Sequence, residues 1–136
     1  MLGEKIGELT GRVTGTRVLP GDDYRYVKME ITVQQTGQIY GVDAMDIGTY
    51  VIFERVPGQI YGEAQGITEG GGEGAIWKGH GIGKPTGQRM GTSFRFSIAY
   101  QAGPSGTFSR LNQILVIGEH EVDDDGNSKT GLWEWK

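Results

Sequence analysis

The 136-residue chain contains no cysteine, which removes disulfide frameworks, thiolate nucleophiles and sulfur-ligated metal centres together. It has no run of lysine or arginine and a formal charge of −4, so the electrostatic footprint of a nucleic-acid-binding protein is missing. No apolar stretch approaches the length of a membrane-spanning helix or of a signal-peptide core, so no membrane partner is expected and a soluble, cytoplasmic protein is. Histidine is limited to His80 and His120, short of the three or four ligands that a metal site needs. Serine-nucleophile motifs and phosphate-binding loops are absent as well, and neither metal nor cofactor is expected. Hydrophobic residues are 36% of the chain, low for an α/β enzyme but compatible with a closed sheet whose outer face is wet.

What the chain has in excess is glycine, 25 residues, roughly two to three times ordinary usage. The stretch Gly58–Pro85 is densest. Two extended runs, Gln59–Thr68 and Ala75–Lys84, flank a turn at Gly70–Gly74. Successive strand residues point to opposite faces, so Gly79, Gly81 and Gly83 share a face, as do Gly62 and Gly66. Glycine weakens a strand, so a stripe of it needs a reason. Sharp curvature around a closed sheet is one, and room for a large aromatic or a ligand is the other. Gly-His-Gly-Ile-Gly at 79–83 is not a dinucleotide fingerprint, because no helix follows it.

Along the chain, Ile6–Leu19 reads as a long first strand with a bulge near Gly11 or Gly15, and Pro20–Asp23 as a turn. Tyr24–Gln35 alternates cleanly, with Val27, Met29, Ile31 and Val33 on one face. Ile39–Val42 is a short extended piece, Asp43–Gly48 a loop, and Thr49–Val56 a strand. After the central hairpin, Thr92–Ala102 alternates again, with Phe94, Phe96, Ile98 and Tyr100 on one face. Phe108–Val122 starts as a helical turn and continues as a strand. Asp123–Asn127 is a hairpin turn, and Leu132–Trp135 a last strand. Short strands at near-regular spacing without helical periods predict a single domain over 1–136: an all-β, antiparallel β-barrel of about eight strands.

The segments YGEAQGI (61–67), WKGHGIGKP (77–85), LNQ (111–113) through GEHEVDDDGN (118–127), and LWEWK (132–136) resemble an uncharacterised bacterial family of small β-barrel proteins. That family is similar in architecture to the allene oxide cyclase-like, calycin-like barrel. The resemblance spans roughly the last 85 residues. It implies an eight-stranded barrel with a cavity and homo-oligomers among its members. It carries no activity and no catalytic residues.

Candidate site residues follow from faces and register. A turn centred near Gly71–Gly72 sets Glu63 directly opposite His80, a spacing that suits a general base and its orienter, or equally a surface pair. Both lie on the face opposite the glycines. Glu119 and Glu121 follow Leu111, Leu115 and Ile117 on one face, which reads as a solvated strand end; if the barrel holds a ligand, Glu119 is the acid expected at its mouth. If the glycine face points inward, Trp77 forms an aromatic wall with Phe94, Phe96 and Tyr100, Tyr61 is outside, and the Tyr100 hydroxyl needs a partner. Asp123, Asp125 and Asn127 have calcium-loop spacing, but Ser128 stands where such a loop needs glycine, and an acidic turn is the expectation. The leading functional expectation is binding of a small, largely apolar molecule inside the barrel. The alternatives are a cyclase- or isomerase-like enzyme using the same cavity, and an oligomer-forming module with a filled barrel.

Overall fold

The computed structural model describes residues 1–20 and 27–136. The start of the second predicted strand, at 24–26, and most of the turn before it lie outside the described residues. The elements are β1 (Leu2–Leu19), β2 (Lys28–Ile39), β3 (Val42–Val56), β4 (Gln59–Gly70), β5 (Glu73–Pro85) and β6 (Thr92–Ala102). A 3-10 helix, η1 (Thr107–Gln113), is followed by β7 (Leu115–Val122) and β8 (Asn127–Trp135). The eight strands form one closed antiparallel barrel in sequence order, with β8 paired back onto β1. Among the described residues no helix is long and apolar enough to cross a membrane.

Following paired residues once round the barrel from Ala75 returns to the same strand at Pro85, ten residues on. With eight strands, that stagger corresponds to a tilt of about 40° and an interior just wide enough for side chains to fill. The predicted bulge falls at Gly15, where the β1–β2 register shifts between Val13 and Gly15. The central hairpin turns at Gly71–Gly72, both in the left-handed region (φ 58° and 77°) that glycine occupies without steric cost. Two neighbouring expectations are overturned. Ile39–Val42 is not an extended piece and Asp43–Gly48 is not a loop: β2 ends at Ile39, Tyr40 and Gly41 make a two-residue turn, and β3 runs unbroken from Val42. Full pairing of this segment with β2, and of its Met45–Gly48 part with β4, outweighs the weak strand propensity of Asp43, Asp46 and Gly48.

The glycine face points inward. Trp77, on β5, is paired with Gly66 on β4, which is paired with Gly48 on β3. The indole lies across both. A Cβ at Gly48 would come within 2.6 Å of Trp77 Cζ2. The glycines therefore make room for an aromatic ring of the protein's own. Farther along, Phe94 and Phe96 stack at 5.3 Å between ring centroids, and Tyr50 tilts against both.

One barrel end is closed by η1, whose Phe108 and Leu111 are fully buried. The Glu73 carboxylate accepts the backbone N–H groups of Thr107 and Phe108, and the Asn112 side chain bonds both polar groups of the Ala102 backbone. At the other end Asp124, in the β7–β8 turn, accepts the N–H groups of Gln88, Arg89 and Gly91 and ties down the β5–β6 loop. Those three bonds hold its carboxyl below the usual range.

The fit of Trp77 over Gly48 gives a direct test. Gly48→Ala is expected to cost about 1–3 kcal/mol by overpacking. In a Trp77→Leu background most of that penalty disappears, and the coupling is read from a double-mutant cycle of urea midpoints.

Candidate functional site

Among the described residues six polar or charged ones are buried: Gln35, Asp46, Thr68, His120, Ser128 and Thr130. They form two clusters facing a small cavity in the middle of the barrel, about 50 Å³ in volume. Its apolar wall includes Leu9, Val33, Phe96, Ile98 and Leu132. Its polar lining is Asp46, Tyr50, Trp77, Tyr100, His120 and Thr130, and among the described residues no lysine or arginine lines it. A liquid water occupies about 30 Å³, so the space suits one or two water-sized groups.

The first cluster is a relay across four strands. The Gln35 amide nitrogen donates to Ser128 Oγ (2.9 Å), and Gln35 Oε1 accepts from the Thr130 hydroxyl (3.0 Å). Thr130 has one proton, so its 2.7 Å contact with His120 Nδ1 must be a bond donated by the ring. Burial pushes the His120 pKa down to about 4, against a smaller opposite effect of Glu121, so the ring is neutral at physiological pH. Nε2 is then an acceptor, and the Tyr50 hydroxyl, 3.1 Å away, donates to it. Burial also drives the Tyr50 hydroxyl far above its ordinary pKa. A histidine this hard to protonate beside a tyrosine this hard to ionise is a settled hydrogen-bond chain, poorly poised for proton transfer near neutral pH.

The second cluster is built on Asp46, only 7% exposed. Its Oδ1 accepts from Thr68 Oγ1 (2.7 Å) and from the Trp77 indole nitrogen (2.8 Å). Burial raises its pKa, and those two bonds oppose the rise. Tyr100, paired with Trp77 across β5 and β6, has its pKa raised far out of range by burial first and by Asp46 second.

The structure separates the residues singled out from sequence. Trp77, Phe96 and Tyr100 line the cavity, whereas Phe94 is fully buried behind it, packed against Phe96 and Tyr50. Glu63 and His80 are paired in register as expected, on the outer face. No hydrogen bond joins them among the described residues; Glu63 accepts from Tyr61 instead (3.2 Å), and His80 faces an open groove beside Lys78. Glu119 is corrected: it lies on the outer wall 3.8 Å from Arg95, not at a barrel mouth, because its neighbours Gly118 and His120 take the inward positions of β7. Asp123 turns both carboxylate oxygens into its own hairpin, onto the amides of Asp125 and Asn127. Asp46 escaped sequence reading because its segment was taken for a loop. His120 escaped because its glutamate neighbours suggested a solvated strand end. The signal was there in the inward set Val116, Gly118, His120, Val122, with period two.

No known family model matches the chain, and no curated protein matches it in sequence. Solved structures share the fold, two of them over nearly the whole chain. A conserved protein of unknown function from Rhodopseudomonas palustris superposes with a TM-score of 0.78 at 16% identity, over 98% of this chain and 97% of that one. A protein of unknown function from Clostridium acetobutylicum superposes with a TM-score of 0.81 at 11% identity, with the same coverage. At such identities the likeness speaks to the barrel alone, and both neighbours are uncharacterised.

His120 makes the relay measurable. A group whose folded pKa is depressed from about 6.5 to about 4 binds more protons unfolded than folded, so stability falls as pH drops through that window. The stability gap between wild type and His120→Gln is expected to narrow by about 3 kcal/mol between pH 7 and pH 4. Urea unfolding across that range checks it, and nitrogen-15 shifts of the ring should show the proton on Nδ1.

Proposed function

We propose that this protein binds a small molecule of few heavy atoms inside the barrel, polar at one end and apolar at the other. The observation that carries this reading is the cavity itself: an apolar wall facing two polar clusters inside a barrel that η1 caps at one end. Its volume, about 50 Å³, lies far below the 300–1,000 Å³ of drug-sized sites, which argues against a long apolar ligand unless Trp77 or Phe96 moves. Catalysis of the cyclase or isomerase kind is less well supported, since His120 and Tyr50 satisfy each other and neither pKa is tuned toward neutrality.

Ala64 lines the cavity from β4. Ala64→Val fills it without adding a polar group. Binding of small polar fragments, followed by thermal shift and by the Trp77 indole N–H resonance, should be lost in Ala64→Val while its melting temperature holds or rises. Fragments binding equally to both proteins would overturn the reading.

A second reading is favoured by the exterior. Ile47, Ile67 and Ile76 lie side by side across β3, β4 and β5, all exposed, with Gln34 and Gln101 at the ends of the row. The row carries no charge, so two copies of the chain can face each other there without like-charge opposition. This reading makes the filled barrel a self-assembling module. Sedimentation at micromolar concentration should then show a dimer that Ile67→Glu converts to monomer; a monomeric wild type removes the reading.

A further inference from the structure

The interior carries one charge whose desolvation is only partly offset. Asp46 is 93% buried, taking the complement of its exposure, and both of its hydrogen bonds fall on Oδ1 from neutral donors. Oδ2 accepts nothing among the described residues, yet no fully enclosed polar atom is left unsatisfied, so Oδ2 retains contact with open space. The Tyr100 hydroxyl is in the same position: deep in the barrel, electrostatically coupled to Asp46, and without a hydrogen bond among the described residues. The relay fixes the opposite wall too. Tyr50 spends its proton on His120 Nε2 and His120 spends its own on Thr130, so the atoms left facing the cavity are lone pairs. The polar wall is thus mostly acceptors and one carboxylate, with the Tyr100 hydroxyl its one unspent O–H, and among the described residues no lysine or arginine lines it to balance the charge. The rest of its wall is aliphatic, from Leu9, Val33, Ile98 and Leu132, and aromatic, from the rings of Tyr50, Trp77, Phe96 and Tyr100.

We infer that the site takes a small organic cation, a primary ammonium group on a short apolar stem, with its N–H donors on Asp46 Oδ2 and the Tyr100 hydroxyl oxygen. The inference rests on the binding function proposed above and names its ligand class. Each element of the site favours that class over the alternatives. A buried carboxylate is stabilised most by an opposite charge brought into hydrogen-bond contact. Aromatic rings in the wall add a quadrupole attraction for a desolvated cation wherever a face meets it. An anion would meet the Asp46 carboxylate and would find the Tyr100 hydroxyl as its one unspent O–H donor. A divalent metal would find a single carboxylate, short of its usual oxygen ligand set. The cavity volume admits about two heavy atoms, which is the size of methylammonium.

The experiment titrates the full chain with methylammonium chloride, methanol, sodium acetate and sodium chloride, reading the Trp77 indole N–H and the Tyr100 ring resonances. Methylammonium should saturate, shift both residues and bind roughly tenfold tighter than methanol, as a charge-assisted bond outweighs a neutral one. Acetate and sodium chloride should do neither. Asp46→Asn keeps an oxygen for Thr68 and Trp77 and removes only the charge; its affinity for methylammonium should fall roughly tenfold or more, to the level of methanol. Equal affinity for methanol and methylammonium in the wild type would overturn the cation and leave the cavity-binding reading standing. Saturable shifts from none of the four would overturn both. Unchanged methylammonium binding in a folded Asp46→Asn would place the cation elsewhere and overturn the assignment to Asp46.

Discussion

The indole of Trp77 lying across Gly66 and Gly48, with its nitrogen bonded to Asp46, joins the principal features of the barrel. A ring of that size fits in the interior of an eight-stranded barrel only if the neighbouring strands surrender their side chains at that level, and they do. The weakening that glycine brings to β3 and β4 is offset by burial of the ring against their backbones. In the same stroke the indole N–H supplies one of the two hydrogen bonds that Asp46 accepts, which offsets part of the cost of keeping a carboxylate inside. The position of the ring also defines the roof of the cavity. Packing, electrostatics and the candidate site are therefore three aspects of one contact.

The interior is organised in layers with different chemistry. Phe108, Leu111 and Ile39 close one end with apolar side chains that are wholly buried. Phe94 and Phe96 stack toward the other. The polar residues are confined between them, where water is least able to compete and where a hydrogen bond left unmade costs most. The relay from Ser128 through Gln35, Thr130 and His120 to Tyr50 is directional, because each hydroxyl has a single proton to give. Such a chain holds its members in one rotamer and one tautomer. It is a rigid wall against which a small ligand can be discriminated by its donors.

Sequence alone gave a sound reading of the barrel where alternation was clean and turns were marked by glycine. Thr92–Ala102 matches β6 end for end, and the Gly71–Gly72 centre places Glu63 opposite His80 as the register demands. Which face turned inward was not legible, because a shift of one residue exchanges the two faces. That is why Glu119 was set at a mouth it does not reach, while His120 beside it was passed over. The Asp43–Gly48 segment failed for a different reason. Aspartate and glycine are poor strand formers, and only the pairing of β3 with partners on both sides, a property of the closed sheet, holds them extended. The residues most informative about function were those at which local propensity and tertiary structure disagree.

Closure of the sheet by β1 on β8 has a consequence for anything the protein meets. An open sheet offers an edge, a line of unspent amide and carbonyl groups onto which another chain can add a strand. A ring of strands offers none along its closed length; only the far ends of β1, past Val13, and of β6, past Ile98, run beyond their β8 and β7 partners. Recognition by this protein, whether of a ligand or of its own copies, falls mainly to side chains. Its surface is accordingly protected against the edge-to-edge accretion through which many β-proteins aggregate, even with isoleucines in the open.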